Sequence, residues 1–217
     1  VEDIPITQKP KDQPKMKFST VVKQLMAIPE YRLIVLVVFL TSVGFCAGNS
    51  FYPVVLTHLG ASEVQISLGL VLIGVGELIF MPLTGRILTR IGAEKMLGMG
   101  VFLFAVRSFL YAAFSQNIYL FICVQLMQGM TLGFMLTGAL AYLSRDIPRN
   151  MRATSNLVMI GLSKNGLSAL VGSLFGGFLA DRFGFHVSFA MCGVCASAAF
   201  VIYIAGLRRC RKKAALA

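Results

Sequence analysis

Three charged residues, Glu77, Arg107 and Lys164, lie inside long apolar runs of this chain. Each is nine to twelve residues away from a basic residue near the end of its run, which corresponds to roughly 13 to 18 Å along a helix. If the runs cross a bilayer, each charge lies near its centre and costs at least about 2.5 to 3.5 kcal/mol. A carboxylate at this depth can exchange a proton, and a cation can bind an anionic group.

Two interpretations of these charges remain open from the sequence. Glu77 and Arg107 fall on successive antiparallel segments at similar depth, so they can form a salt bridge that only holds the bundle together. Alternatively, the charges face a central hydrated cavity, where Glu77 exchanges a proton and Arg107 or Lys164 binds an anionic group. The two interpretations can overlap.

Uncharged polar residues accompany the charges. Gln125, Gln128 and Thr131 recur at three-residue steps, which favours one helix face. Such side chains either hydrogen-bond a hydroxylated solute or bridge neighbouring helices at about 0.6 kcal/mol each. The predicted cavity residues are Asn49, Tyr52, Gln125, Gln128, Thr131 and Asn165.

Metal, cofactor and catalytic chemistry are not predicted for this chain. His58 and His186 fall at the outer ends of apolar runs, in solvated positions. The five cysteines lie mostly inside the runs, where thiols pack as small apolar groups. Nucleophilic catalysis needs a base within reach of the nucleophile, and no G-x-S-x-G motif occurs. The phosphate-binding motif G-x-x-x-x-G-K-[ST] is also absent from the sequence. We therefore expect no metal site, no cofactor and no catalytic residue.

The composition excludes a water-soluble globule. Of the 217 residues 57% are hydrophobic and 13% charged, with a mean hydropathy of +0.78, whereas soluble domains are about a quarter charged. The formal net charge is +11, but the basic residues lie between apolar runs, which favours a bilayer over nucleic acid as the partner.

Six apolar segments are long enough to cross a bilayer as helices. They cover about 32–57, 64–88, 94–114, 118–143, 153–180 and 187–207. We predict an all-α integral membrane fold, preceded by a polar linker (1–17) and an amphipathic helix lying in the membrane interface (18–28). A basic tail follows (208–217). Since the chain begins at Val1 without a secretory signal, we expect a fragment or an excised domain.

Basic residues set the expected orientation, because Lys and Arg are retained on the cytoplasmic side. Seventeen of the twenty fall in the linker and first helix, the second and fourth loops, and the tail. The odd-numbered loops together hold only Arg182. We predict both ends of the chain on the cytoplasmic side of the cell membrane.

An eight-residue motif of the form G-x-x-x-[T/D]-R-x-G occurs twice. Its members are Gly85, Arg90 and Gly92 in the first copy and Gly177, Asp181, Arg182 and Gly184 in the second, 92 residues later. The offset spans three helices, so the second copy enters the membrane from the opposite side. This arrangement is an inverted-topology repeat, typical of secondary transporters.

At these motifs the sequence resembles the major facilitator superfamily, specifically its C-terminal six helices, over nearly the whole chain. The second copy matches the core of the G-x-x-x-D-R-x-G signature fully, whereas Thr89 replaces the acid in the first. Pro148, Arg152 and the following Ala-Thr match a loop common between the fourth and fifth helices of a half. Met81-Pro82, Arg107 and Lys164-Asn165 are similar to the lactose-permease and nucleoside-symporter branch. Lactose permease carries a proton-coupling His and Glu where this chain has Gln128 and Thr131.

The resemblance implies half of a twelve-helix, alternating-access transporter, with an N-terminal six-helix half as partner and the two motif copies as gating loops. The leading hypothesis is proton-coupled uptake of a small polar metabolite such as a sugar or nucleoside. Glu77 would exchange the proton, and the substrate and H⁺ are the expected small-molecule partners. The alternatives are a drug or metabolite efflux antiporter of the same superfamily, a six-helix intramembrane enzyme, and a non-transporting receptor.

Overall fold

The computed structural model describes residues 18–162 and 166–214, and within these ranges the regular structure is entirely helical. The prediction of an all-α fold is confirmed. The helices are α1 (Phe18–Ala27), α2 (Pro29–His58), α3 (Glu63–Ile91), α4 (Ala93–Ala113), α5 (Ile118–Cys123), α6 (Gln128–Asp146), α7 (Arg149–Leu162), α8 (Leu167–Phe183) and α9 (Phe185–Ala214). A 3₁₀ turn, Val124–Met127, joins α5 to α6.

Within the described residues, six helical stretches are long and apolar enough to cross a membrane. α2, α3, α4 and α9 each supply one stretch, α5 and α6 together supply another, and α7 and α8 together supply the last. The helices extend beyond the predicted segments at most ends: α3 begins at Glu63 and ends at Ile91, against the predicted 64–88. At the start of α3 the Ser62 side chain accepts from the Gln65 backbone N–H and caps the helix.

The predicted fourth segment, 118–143, is not one continuous α-helix. Its helix tightens into the 3₁₀ turn Val124–Met127 before α6 begins at Gln128. This turn packs against α3. A 3₁₀ stretch within a helix has poorer hydrogen-bond geometry than α-helix and is often found at functional sites.

The helices pack in a continuous series in which α4 and α2 are central. α4 packs between α9 and α6, α2 packs between α9 and α8, and α3 packs on α6. One apolar core lies among α2, α4, α6 and α9 and includes Ile34, Leu97, Met135 and Tyr203. A smaller aromatic core lies toward the other end and includes Tyr52, Tyr111, Phe121 and Phe189. α1 buries Val21 and Leu25 and packs on α2 and α7.

The two motif copies end in the same backbone geometry. Gly92 has φ 82° and ψ 160°, and Gly184 has φ 83° and ψ 163°. Each N–H donates to the carbonyl four residues earlier, and each carbonyl accepts from the N–H four residues later. Each glycine therefore ends one helix and begins the next. Positive φ with ψ near 160° is essentially confined to glycine, so the backbone explains why both copies end in this residue.

α3 and α8 expose more apolar surface than the other spanning helices. In the apolar 18-residue stretch of α3 only 11% of the residues are buried, whereas the corresponding fraction is 56% in α2 and in α4. Leu78 of α3 is 80% exposed and Leu174 of α8 is 76% exposed. Large exposed apolar faces mark contact with lipid or with other protein.

Candidate functional site

Arg107 is the centre of a buried polar cluster between α4, the 3₁₀ turn and α6. Its side chain is 1% exposed. The Nη2 group donates to the Oη of Tyr111 at 2.8 Å, the Oε1 of Gln125 at 2.8 Å and the Oε1 of Gln128 at 2.7 Å. The Tyr111 hydroxyl donates to the same Gln125 oxygen at 2.7 Å. Four side chains thus form one connected network.

The 3₁₀ turn is what aims both glutamines at Arg107. In a 3₁₀ helix the side chains at i and i+3 eclipse, so Gln125 and Gln128 project in the same direction. The three-residue spacing noted in the sequence is the period of this turn. Hydrogen bonds to a buried charged group are stronger than neutral ones, and they offset the weaker backbone bonds of the turn.

Tyr111 belongs to the network, although sequence reasoning did not select it. It follows Arg107 by four residues on α4, and residues at this spacing are neighbours on one helix face. This i, i+4 relation is the sequence signal that would have identified it. Its ring also lies 5.1 Å from the guanidinium carbon of Arg107.

Arg107 lies where the two cores meet. Its guanidinium carbon is 5.9 Å from the Phe45 ring of the first core and 5.1 Å from the Tyr111 ring of the second. Aromatic rings as well as amide oxygens therefore stabilise the guanidinium group of Arg107. A cavity of about 10 Å³ adjoins it, lined by Asn49, Arg107, Ser108 and Tyr111 among others, which is about the volume that one water needs.

Glu77 is held at the level of the glutamines by a close crossing of α3 with α6. A Cβ built on Gly76 would overlap the main-chain carbonyl of Leu126, and one built on Gly129 would overlap the main chain of Gly76 and Glu77. Only glycine permits two backbones to approach this closely. The crossing therefore places Glu77 next to Gly129, the residue after Gln128. Glu77 itself is partly exposed.

The hydrogen bonds of Arg107 go to uncharged groups, and a salt bridge between Glu77 and Arg107 stays a prediction. Among the described residues, Arg107 has three hydrogen-bond partners, and all are uncharged. Two further buried donors of the network, Arg107 Nε and Gln125 Nε2, have no partner within the described part of the protein. A guanidinium surrounded by neutral groups creates a positive potential in a medium of low dielectric constant.

The other predicted cavity residues divide between the network and local structure. Asn49 lines the small cavity beside Arg107. Thr131 is buried, but its hydroxyl donates to the Gln128 carbonyl of its own helix at 3.0 Å. Tyr52 is 1% exposed and stacks on Phe121 at 5.6 Å, with its hydroxyl packed against Gly69. Lys164 and Asn165 lie outside the described residues.

The residues of the repeated motif lie apart from this cluster, at helix ends. Gly85 and Arg90 are exposed near the end of α3, and Asp181 and Arg182 are exposed near the end of α8. The Arg182 guanidinium carbon lies 5.3 Å from the ring of Phe178, one turn earlier. Gly177 lies one turn further into α8, beside Phe51 of α2. A gating role for these residues stays a prediction.

The six apolar spans and the buried polar centre define a multi-pass α-helical membrane protein. The sequence matches the family model described as the MFS_1 like family over residues 2–191. The chain therefore belongs to this family of the major facilitator superfamily, and the resemblance seen at the motifs is confirmed.

The relatives of the chain include a permease named for a sugar and proteins named for drug resistance. It is 26% identical to the maltose permease of Geobacillus stearothermophilus over 80% of this chain and 44% of that protein. It is 30% identical to the multidrug resistance protein MdtG of Yersinia enterocolitica over 76% of this chain and 40% of that protein. It is 23% identical to the quinolone resistance protein NorA of Staphylococcus aureus over 77% of this chain and 42% of that protein. The chain thus spans less than half the length of these relatives.

Proposed function

We propose that this chain is the C-terminal half of a secondary transporter that takes up a small polar solute, such as a sugar or nucleoside, driven by a proton gradient. The observation that carries the proposal is the juxtaposition of a buried arginine network with a membrane carboxylate at one level of the bundle. Family membership supports transport. The substrate and the coupling ion rest on the chemistry of the site.

The network is suited to a polar, hydroxyl-bearing solute rather than to an apolar one. Amide oxygens of Gln125 and Gln128 are held by Arg107, which leaves the amide N–H groups as donors. Gln125 Nε2 is one such donor without a partner in the described part of the chain. A site built to hydrogen-bond a solute rejects one that leaves its polar groups unpaired. Arg107 is buried together with both glutamines and holds their oxygens, so its proposed role is to position the two amides.

Glu77 is the group proposed to exchange the proton. Its side chain is partly exposed on α3, in contrast to the buried Arg107. Protonation removes a charge whose transfer into an apolar interior is costly. The neutral form therefore favours the state in which the site is closed to water, and this couples proton binding to reorientation.

A second six-helix half is the proposed partner. Relatives are more than twice as long as the matched region, and α3 and α8 expose wide apolar faces. Transport would proceed by rocking of the two halves about the level of Glu77 and Arg107. We place the protein in the cell membrane with both ends of this chain in the cytoplasm, as the distribution of basic residues predicts.

The competing function is efflux of drugs by an antiporter of the same superfamily, because two of the relatives are named for drug resistance. An efflux protein would be inhibited by many unrelated apolar compounds. A polar-solute transporter would be inhibited by close analogues of one solute, because a hydrogen-bonding site discriminates strongly.

The variant Glu77→Gln tests the proton-coupling proposal in the full-length protein. We expect uphill accumulation of the solute to be abolished, while exchange of labelled for unlabelled solute continues, because the fixed neutral side chain no longer releases a proton. Glu63→Gln is the matched control, since Glu63 is exposed in the first turn of the same helix. Normal proton-driven accumulation in Glu77→Gln would refute the role of this carboxylate.

A further inference from the structure

A second cavity lies on the outer surface of the bundle, away from the Arg107 network. It is a groove of about 280 Å³ between α4 and α9, roughly twenty times the volume that one water needs. It extends from Lys95 to Phe102 on α4 and from Leu207 to Phe200 on α9. Seven residues of helix correspond to about 10 Å, so the groove is elongated along both helices.

The walls of the groove are apolar and aromatic. Phe102 and Phe200 pair across it with ring centroids 5.6 Å apart, and Met99 and Ile204 complete the walls. Gly98 forms part of the base, beneath the ring of Tyr203. The Tyr203 hydroxyl donates to the Glu94 carbonyl at 2.8 Å and ties the two helices together at one end.

Among the described residues that line the groove, the two charged ones, Glu94 and Lys95, lie at that same end. Lys95 lies in the first turn of α4 and is exposed. Arg208 and Arg209 directly follow the lining residue Leu207 on α9, and both are exposed. Glu94 is the carboxylate beside them. Lys95 and Glu94 therefore line the groove itself, and the two arginines add positive charge just beyond its last lining residue.

From this distribution of apolar and basic residues we propose that the α4–α9 groove binds an anionic phospholipid, with the headgroup phosphate at Lys95 and one acyl chain lying along the groove against Met99, Ile204 and the Phe102–Phe200 pair. The occupant must be apolar over about 10 Å and anionic at the membrane surface, which is the polarity of such a lipid. A basic residue at the membrane surface attracts anionic lipid by about fivefold in affinity. The site is independent of the substrate and proton chemistry proposed above.

The test uses fluorescence quenching by brominated lipids, because the chain contains no tryptophan. Phe102→Trp places a reporter in the groove of the full-length protein, with any tryptophan outside this chain replaced. Val201→Trp is the matched control: Val201 adjoins Phe200, is 64% exposed and does not line the groove. Both proteins are reconstituted into vesicles that contain either brominated phosphatidylglycerol or brominated phosphatidylcholine.

We expect brominated phosphatidylglycerol to bind about fivefold more tightly than brominated phosphatidylcholine in the Phe102→Trp protein, and equally tightly in the Val201→Trp protein. Adding Lys95→Gln to the Phe102→Trp protein should reduce the ratio of its affinities for phosphatidylglycerol and phosphatidylcholine toward one. Adding Glu94→Gln should increase this ratio. Equal preferences at the two reporters, or a preference unaffected by Lys95→Gln, would overturn the proposal. Because the assay measures lipid binding without transport, its outcome is separate from that of Glu77→Gln.

Discussion

Arg107 shows how the neighbours of a membrane charge decide its role. Its type and depth are evident from the chain, and they predict a group that requires a partner. The partners turn out to be Tyr111, Gln125 and Gln128, which are uncharged. The arginine therefore holds the oxygens of two buried amide side chains in place.

Replacement of Arg107 by alanine should therefore affect stability as well as transport. The glutamine oxygens lose a buried charged donor, and unsatisfied buried groups cost about 1 to 3 kcal/mol. We expect the thermal unfolding midpoint of the full-length protein in detergent to fall by at least about 3 °C, together with a nearly complete loss of uptake.

Arg107→Lys and Arg86→Ala are the comparisons for this experiment. Lysine keeps the charge but lacks the planar fork of donors, so we expect an intermediate loss. Arg86 is exposed on α3, and its removal should leave the midpoint unchanged. If Arg107→Ala unfolds at the same temperature as Arg86→Ala, the network does not stabilise the fold.

At the level of elements, the crossing of α3 over the 3₁₀ turn and α6 brings Glu77 to the glutamines. Gly76 and Gly129 make this contact through their main chains. A helix–helix contact of this kind depends on the absence of side chains rather than on their chemistry. The position of Glu77 is accordingly a property of the glycines beside it.

Gly76→Ala should separate α3 from the turn, because its Cβ overlaps the Leu126 carbonyl. Overpacking typically costs about 1 to 3 kcal/mol, so we expect a fall in the thermal midpoint of several degrees and reduced uptake. Gly74→Ala is the control two residues away: a Cβ there meets nothing within 4 Å, and alanine is the better helix former. Equal midpoints for the two variants would contradict a tight crossing.

For the whole molecule, the distribution of charge predicts one orientation in the membrane. The basic residues predict that the turn between α2 and α3 faces outward and that the turn between α3 and α4 faces the cytoplasm. His58 and Thr89 are exposed at these two turns. Both positions lie near the ends of spanning helices, so each reports on one side.

Cysteine labelling in intact cells tests this orientation. In a background with the five native cysteines replaced, His58→Cys should react with a membrane-impermeant maleimide, and Thr89→Cys should react only after permeabilisation. The opposite pattern would invert the orientation and place both ends of the chain outside. Reaction at both positions in intact cells would indicate a topology other than the one proposed.

The sequence by itself was sufficient for the membrane class, the all-α fold and the family. Each of these follows from local composition and spacing: runs of apolar residues must pair their backbone internally in a bilayer, and the motif ending in Gly92 and Gly184 requires a backbone that only glycine adopts. Polar residues within the apolar runs could likewise be identified individually, because each interrupts a stretch of apolar side chains.

Only the tertiary structure decided which of these residues meet. Arg107 bonds to two amides and a phenol, Thr131 bonds to its own helix, and Tyr111 joins the network. The α4–α9 groove likewise combines residues about 100 positions apart. Such pairings depend on helix rotation and on how closely backbones approach, and these are set by packing across the bundle rather than by any local stretch of sequence.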